Sequence, residues 1–425
     1  MRTVNLHSPL VGDEGAFHRR LDPDSKRPVA AAYSGGGDSL AALIATVRWA
    51  ERAGRPVVAL HVDHRLQAAS GDWARLAESV AVRLGARFIG LAWTGEKPAC
   101  GLAAAARKAR HALIAEAARA AGAQVVVFGH TADDILEAEV MRAAGSSLGH
   151  LQEWGPSPAW PEGRDVFLLR PLLALRRTAI RERLAPLGLP WIDDPANADP
   201  ASARARARMS LDGGPGPPAR CAEPPPPLAA LAGSASFDEA GVLTVALASL
   251  AAAPPAVARR FLSAALVCAG GGDRPPRRER IAALLERLNP GSPMAATLAG
   301  ARVSAGASVR IAREVGAYRR QGWPELRLEP GEAGVWDGRF ALRNQGSAPC
   351  FVRPLAGLAA RLSRTEREGL AKIFAAARGA LPAIQHSNGL VTSPVLTMQG
   401  QVTVQLLVAG RFRAACGVIS KELGG

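Results

Sequence analysis

The sequence predicts an α/β fold. A doubly wound, mainly parallel, Rossmann-like sheet is followed by a small helical domain and a small mixed α/β C-terminal domain. Three observations carry this reading. Short apolar runs alternate with helical patterns through the first half of the chain, as βαβ units require. "AQVVVFGH" (123–130) is a continuous apolar run of the kind that a strand buried on both faces displays. A triple glycine, "YSGGGDSLA" (33–41), stands between the first apolar run and the first helix, where such sheets bind ligands.

The elements follow in order. "PVAAAY" ends at the glycine loop, and a helix is expected over about 39–53. "PVVALHVDH" (56–64) is β-rich, a helix follows over about 70–84, and "ARFIGLAW" (86–93) is the third apolar run. A long Ala/Arg helix over about 102–121 leads to the strand at 123–130, and another helix starts near 134. "DVFLLRPLL" (165–173) is a further strand, and "RRTAIRERLAPLG" a helix closed by Gly188. The domain expected over 1–211 ends at the Pro/Gly-rich linker "DGGPGPPARCAEPPPPLAALAGS" (212–234). "VALASLAAAPPAVARRFLSAALVCAG" and "RERIAALLERL" predict the helical domain over 235–300. The Gly-punctuated alternating runs beyond it predict the C-terminal domain over 301–425.

Composition narrows the partners. The chain has 425 residues and a formal net charge of +15, which favours a polyanion such as nucleic acid. Basic clusters recur at "LRRTAIRERL" (175–184), "ARARARM" (203–209), "PPRRERI" (275–281) and "AYRRQG" (317–322), although each alone also suits a solvated helix face. No apolar run spans a bilayer, and the N-terminus lacks the apolar centre of a signal peptide, so a cytoplasmic location and no membrane partner are expected. The five cysteines are scattered without a CxxC pair and read as reduced thiols.

The glycine loop is suited to phosphate. Backbone N–H groups at a helix N-terminus attract anions, and Gly35, Gly36 and Gly37 permit close approach. Ser34 and Ser39 add hydroxyls. A second triple glycine, "CAGGGDRPP" (268–276), lacks the serines and runs into proline, so a turn is expected there. The first loop has no following lysine, unlike the loop that grips a terminal phosphate for transfer. Asp38 repels phosphate unless Mg²⁺ bridges the two; otherwise it is a helix N-terminal acid.

With these residues the loop resembles the Ser-Gly-Gly-x-Asp-Ser signature of the N-type ATP pyrophosphatases (the PP-loop superfamily), which cleave ATP between the α and β phosphates. Four further stretches occur in the order of one branch of it: "HVDHRLQAAS" (61–70), "GLAAAARKARHALI" (101–114), "GHTADDILEAEVMRAAGSS" (129–147) and "LLRPLLALRRTAIRERLAPLGLPWIDDPANADPASARARARM" (168–209). Together they resemble the tRNA(Ile)-lysidine synthetases, well over 25–210 and only in outline beyond. The resemblance implies a ligase that joins L-lysine to the wobble cytidine of tRNA-Ile with a CAU anticodon, using ATP and Mg²⁺. A homodimer is compatible with it.

The resemblance also implies residue roles. Ser34, Gly35, Gly36, Gly37, Asp38 and Ser39 hold pyrophosphate, with Asp38 on the metal. Asp63 and His64 line the nucleotide cleft, or else form a capped turn. His130 and Asp134 contact the reacting groups and Asp133 helps place nucleotide or metal; a helix cap is the alternative for either acid. Glu137 helps bind the lysine ammonium. Arg107 or Arg110 neutralises the α-phosphate, against surface ion pairs as the alternative. Arg176, Arg177, Arg204, Arg206 and Arg208 contact adenylate or tRNA. The chain departs from the family at His111, which stands at an aromatic position, at "ILEAE" where Gln-Ala-Glu-Thr is usual, and at "RAAGSS" where an Arg-Gly pair is usual. A tRNA thiolation enzyme needs sulfur chemistry that the lone Cys100 near the loop does not suggest. An amidating synthetase needs a glutaminase or ammonia route with no visible counterpart. A non-catalytic RNA-binding protein has no reason to keep Ser34, Asp38, Ser39, Asp133 and Asp134 together.

Overall fold

The computed structural model describes residues 14–146, 149–195, 199–200, 202–211, 226–288, 293–385, 391–397 and 400–424. The chain divides into two compact units, one of residues 1–223 and 419–425, the other of residues 224–418.

In the first unit, α1 (Glu14–Arg20) precedes an alternation of strands and helices. β1 (Val29–Ala32), α2 (Gly37–Ala53), β2 (Val57–Asp63), α3 (Ser70–Arg83), β3 (Arg87–Ala92), α4 (Leu102–Ala120), β4 (Val125–Phe128) and α5 (Ala132–Ala143) come first. β5 (Trp154–Pro156), β6 (Phe167–Leu169), α6 (Arg177–Leu184) and α7 (Ala203–Leu211) complete it. Among the described residues the sheet order is β3-β2-β1-β4-β6-β5. All neighbours are parallel except β5, which pairs antiparallel with β6. β5 was not anticipated from the sequence. Its three residues "WGP" have no alternation to betray them.

The strands are apolar because helices cover both faces. Ala30, Val58, Leu60, Val126, Phe128 and Leu168 pack with Ile114 and Ala118 of α4 in one core. α2 buries Leu40, Leu43, Ile44, Val47 and Trp49 and ends at Gly54, whose φ of 62° supplies the left-handed cap. The order reverses between β1 and β4, so the crevice at their carboxyl ends is the switch point where such sheets bind ligands. The glycine loop and His130 both leave the sheet there.

The last residues return to the opposite, amino-terminal edge of the sheet. Glu422 forms a fully buried ion pair with Arg55 just before β2, at 2.8 Å. Its backbone N–H donates to Arg20 O at 2.7 Å, and the Leu423 N–H donates to Gln124 Oε1 at 2.9 Å.

The second unit contains α8 (Pro226–Gly233), β7 (Ser236–Phe237), β8 (Leu243–Ala246), α9 (Leu247–Ala252), α10 (Pro255–Gly270) and α11 (Arg278–Arg287). They are followed by β9 (Met294–Leu298), β10 (Ala301–Ala305) and β11 (Ser308–Arg313). The sheet β7-β8-β11-β10-β9 shares one core with α8, α10 and α11, built around Leu243, Phe261, Leu262, Leu266, Val303 and Ile311. The expected boundary at 300–301 therefore falls inside the β9–β10 hairpin, and the first two residues of the expected helical stretch, Val245 and Ala246, are the end of β8. Two smaller sheets belong to the rest of the unit. One has the order β12 (Leu326–Leu328), β15 (Cys350–Pro354), β16 (Pro382–Gln385), β17 (Val391–Thr392). The other has the order β13 (Ala333–Trp336), β14 (Phe340–Asn344), β18 (Val402–Leu406). The second triple glycine ends α10, with Gly271 at φ 73° as its left-handed cap, which is the turn expected there. Residues 212–225 of the expected linker lie outside the described residues, and 226–233 form α8. No helix of the described residues is long and apolar enough to cross a membrane.

Candidate active site

The glycine loop turns from β1 into α2 through Gly35, at φ 88°. A side chain on Gly35 would collide with Ile192 Cδ1, and the Gly35 carbonyl accepts from the Ile192 N–H at 2.9 Å. The "WIDDP" segment thus straps the loop from outside. The Ser39 hydroxyl donates to Gly36 O at 2.8 Å and accepts from Ser34 N–H at 3.2 Å, which holds the loop curled over the first turn of α2. Gly129, at the end of β4, lets that turn approach: a Cβ there would lie 2.4 Å from Asp38 O.

Asp38, on the first turn of α2, accepts from Arg177 Nε at 2.9 Å through Oδ2, while its Oδ1 is buried with no hydrogen-bond partner. Burial raises its pKa, against the pull of Arg177. A buried carboxylate oxygen without a donor is a hard ligand awaiting a cation, so Asp38 fits Mg²⁺.

Helix α5 begins at Thr131 in a capping box with Asp134, whose Oδ2 accepts from Thr131 N–H at 2.7 Å. Asp134 is therefore a cap through one oxygen, and it turns the other to Arg204. Asp133 is held differently. Its Oδ2 accepts from the Arg177 backbone N–H at 2.7 Å, and Arg176 reaches Oδ1 at 3.1 Å, so it anchors the start of α6. Glu137, 1% exposed, accepts from Arg204 Nε at 2.8 Å, Arg208 Nε at 2.9 Å and Arg177 Nη1 at 3.3 Å. Burial works to raise its pKa, but Arg204 and Arg208 outweigh that and hold it below the ordinary range. Arg204 and Arg208, one turn apart on α7, share the inward face, whereas Arg206 bonds Pro200 O at 2.8 Å.

Arg107 and Arg110 approach from α4. The Arg110 Nε is buried with no hydrogen-bond partner. Burial, reinforced by the Arg107 and Arg204 cations, lowers its pKa to about 10. Asp134 is the acid felt by both arginines, so positive charge is in excess. His64 stands beside Arg110, edge-on to Trp93, with a buried Nδ1 that has no partner; burial lowers its pKa. Asp63 Oδ1 accepts from the Arg65 N–H at 2.7 Å, which closes the turn after β2. His130 is buried, stacked on Phe128 at 5.6 Å, with His111 on Phe128 at 5.4 Å. His111 thus serves as an aromatic ring in this stack, and burial lowers its pKa to about 3. The "ILEAE" departure is absorbed by the core, where Ile135 and Leu136 are buried. Ser147 of "RAAGSS" lies outside the described residues.

The structure thus brings Asp38, Asp134, Glu137, Arg177, Arg204 and Arg208 into one network, with Arg107 and Arg110 beside it. Sequence reasoning missed Gly129, Arg170, the Ile192 strap and the Gln67–Asp194 bond of 3.0 Å that ties the second motif to the last. All five residues, Gly129, Arg170, Ile192, Gln67 and Asp194, lie inside the stretches quoted above, and that was the available signal.

A family model described as a PP-loop domain matches residues 12–212. A tRNA(Ile)-lysidine synthase of Caulobacter vibrioides is 46% identical over 417 residues, covering 96% of this chain and 97% of its own length. One from Brucella ovis is 36% identical over 353 residues, 77% of each chain. Among solved structures, the U34-tRNA thiolase NcsA from Methanococcus maripaludis with its 4Fe-4S cluster is 16% identical, at a TM-score of 0.38, over 47% of this chain and 71% of that one.

Proposed function

Because the chain belongs to the tRNA(Ile)-lysidine synthase family, we propose that it joins L-lysine to C2 of the wobble cytidine of tRNA-Ile bearing a CAU anticodon, converting ATP to AMP and pyrophosphate. The observation that carries the assignment of the site is the buried, unpartnered guanidinium nitrogen of Arg110, in a cluster with more cations than acids. A cation left without a partner in a crevice beside a phosphate loop is arranged for an anion that arrives with substrate.

In the first step the cytidine O2 attacks the α-phosphorus, the new O–P bond forms and the bond to the pyrophosphate oxygen breaks. The loop N–H groups, Ser34 and Ser39 hold the departing pyrophosphate. Arg110 and Arg107 stabilise charge on the α-phosphoryl group. Asp38 would hold Mg²⁺, which when bound would neutralise charge on the polyphosphate. In the second step the neutral lysine ε-amine attacks C2, the C2–O bond breaks, AMP leaves with the oxygen, and the surplus proton of the new C–N nitrogen passes to the departing phosphate or to solvent. Asp134 and Glu137 receive the lysine ammonium as one arginine yields its place. The surrounding cations favour the neutral, nucleophilic amine over the ammonium. Asp63 and His64 line the nucleoside side of the crevice. Asp133 acts by fixing Arg176, Arg177 and the start of α6, and Arg206, which does not join the Glu137 network, faces the RNA. The target base leaves its loop to enter the crevice, as single-stranded RNA readers require.

The test supplies ATP, labelled lysine and a tRNA transcript with a CAU anticodon. Label is expected in the tRNA with one AMP formed per lysine. Asp38→Ala is expected to abolish AMP formation; near-normal turnover in that variant means that Asp38 only caps the helix.

A further inference from the structure

We infer that Arg170 is a positioning residue that locks His130 as a neutral imidazole protonated on Nε2, so that His130 serves the reaction as a hydrogen-bond donor and not as a base. The inference rests on the reading of His130 as a residue of the lysidine-forming site.

The geometry is specific. Arg170 follows β6, and its Nε–H donates to His130 Nδ1 at 3.1 Å. Its Nη1 donates to Gln152 O at 2.7 Å, and its backbone N–H donates to Glu153 O at 2.9 Å, so the side chain is aimed from a fixed base. A guanidinium has only donors and keeps its protons at any working pH. The nitrogen it meets must therefore present a lone pair. With Nδ1 committed as acceptor, the single ring proton of neutral His130 sits on Nε2.

The ring plane is fixed as well. His130 lies parallel to Phe128, 4° between planes, and Phe128 in turn stacks on His111 at 24°. The neighbouring Gly129 touches the first turn of α2 at Asp38 and Ser39. His130 thus leaves the sheet just after β4, buried, with one face and one nitrogen taken. Its remaining polar atom is the Nε2–H. Burial and the cations of Arg170, Arg110, Arg107 and Arg204 hold its pKa well below that of a free histidine, which agrees with the neutral form. A neutral Nε2–H donor cannot take the lysine proton. It can stabilise negative charge on the phosphoryl or leaving oxygen.

Two measurements test this on the full chain. In protein labelled with ¹⁵N-histidine, a long-range proton–nitrogen spectrum, assigned against His130→Ala, is expected to show Nδ1 unprotonated and Nε2 protonated at neutral pH. An Nδ1–H tautomer or an imidazolium there overturns the inference. In kinetics, Arg170→Leu is expected to lower kcat roughly 100-fold while leaving KM for ATP and lysine nearly unchanged. Arg170→Lys, which keeps a cationic donor, recovers part of the loss. In a His130→Ala background Arg170→Leu adds no further loss; an independent, multiplicative loss means that Arg170 acts without His130. The nitrogen spectrum needs no substrate. A failure of lysine incorporation by the wild-type chain overturns the proposed function and leaves the tautomer to be read on its own.

Discussion

His111 shows what a single residue can reveal. It supplies a ring to the core of the site, stacked on Phe128 with its Nε2 buried and unpartnered. Its pKa falls to about 3 in the fold. The sign follows from linkage. A histidine depressed in the folded state stays neutral there while the unfolded chain takes up a proton, so stability is lost as pH falls below the ordinary value of about 6.5. At pH 5 this one group costs about 2 kcal/mol. His111→Phe is expected to keep the stack and raise the melting temperature more at pH 5 than at pH 7.5, as thermal melts at the two pH values will read. An equal shift at both means that His111 is not held neutral. Part of the candidate site is legible from residues alone: the glycine loop and the paired acids stand out by type and spacing, whereas Glu137 was reached only through the resemblance. The partners of those residues are not legible in this way. Arg177 meets Asp38 across 139 positions and Arg204 meets Asp134 across 70, and no local pattern encodes such distances.

At the scale of elements, the crevice is set by how closely α2 approaches the end of β4. Gly129 is the contact point, with no room for a Cβ against the Asp38 carbonyl. Gly129→Ala must displace backbone and not a flexible side chain, so it is expected to cut AMP formation by at least tenfold at a small cost in melting temperature. Unchanged turnover means the loop has slack. α7 offers a second test. Its alternating arginines point no particular way in the sequence, but helical geometry puts Arg204 and Arg208 on the side of Glu137 and Arg206 on the other. Arg204→Ala removes a partner from two buried acids and is expected to lower kcat, measured as AMP release at saturating tRNA. Arg206→Ala is expected to change only the KM for tRNA. Strands β1, β2, β4 and β6 were readable because burial leaves continuous apolar runs. β8 was not, since its short run merges into the Ala/Leu helix α9.

On the scale of the whole molecule, the chain ends where it began. Residues 419–425 belong to the first unit, although 195 residues of the second unit, 224–418, intervene. Arg55 and Glu422, 367 positions apart, are fully buried together, and no feature of "VISKELGG" announces that return. Removing one partner of such a pair leaves an uncompensated charge and costs about 3–5 kcal/mol. Glu422→Ala is therefore expected to unfold the first unit at lower denaturant than wild type, followed by the fluorescence of Trp49, which lies beneath Arg55 at 5.5 Å. A wild-type midpoint means that the tail is dispensable. Arg55 stands just before β2, so this anchor lies at the amino-terminal ends of the strands, away from the crevice at the carboxyl ends of β1 and β4. Lysidine formation at the crevice of β1 and β4 is the activity on which the other expectations depend. It is tested most directly by following labelled lysine into two tRNA-Ile transcripts that differ only in the first anticodon base. One lysine and one AMP are expected per transcript with CAU and none with UAU. ATP cleavage that delivers sulfur or ammonia in place of lysine, or label in both transcripts, would contradict this expectation.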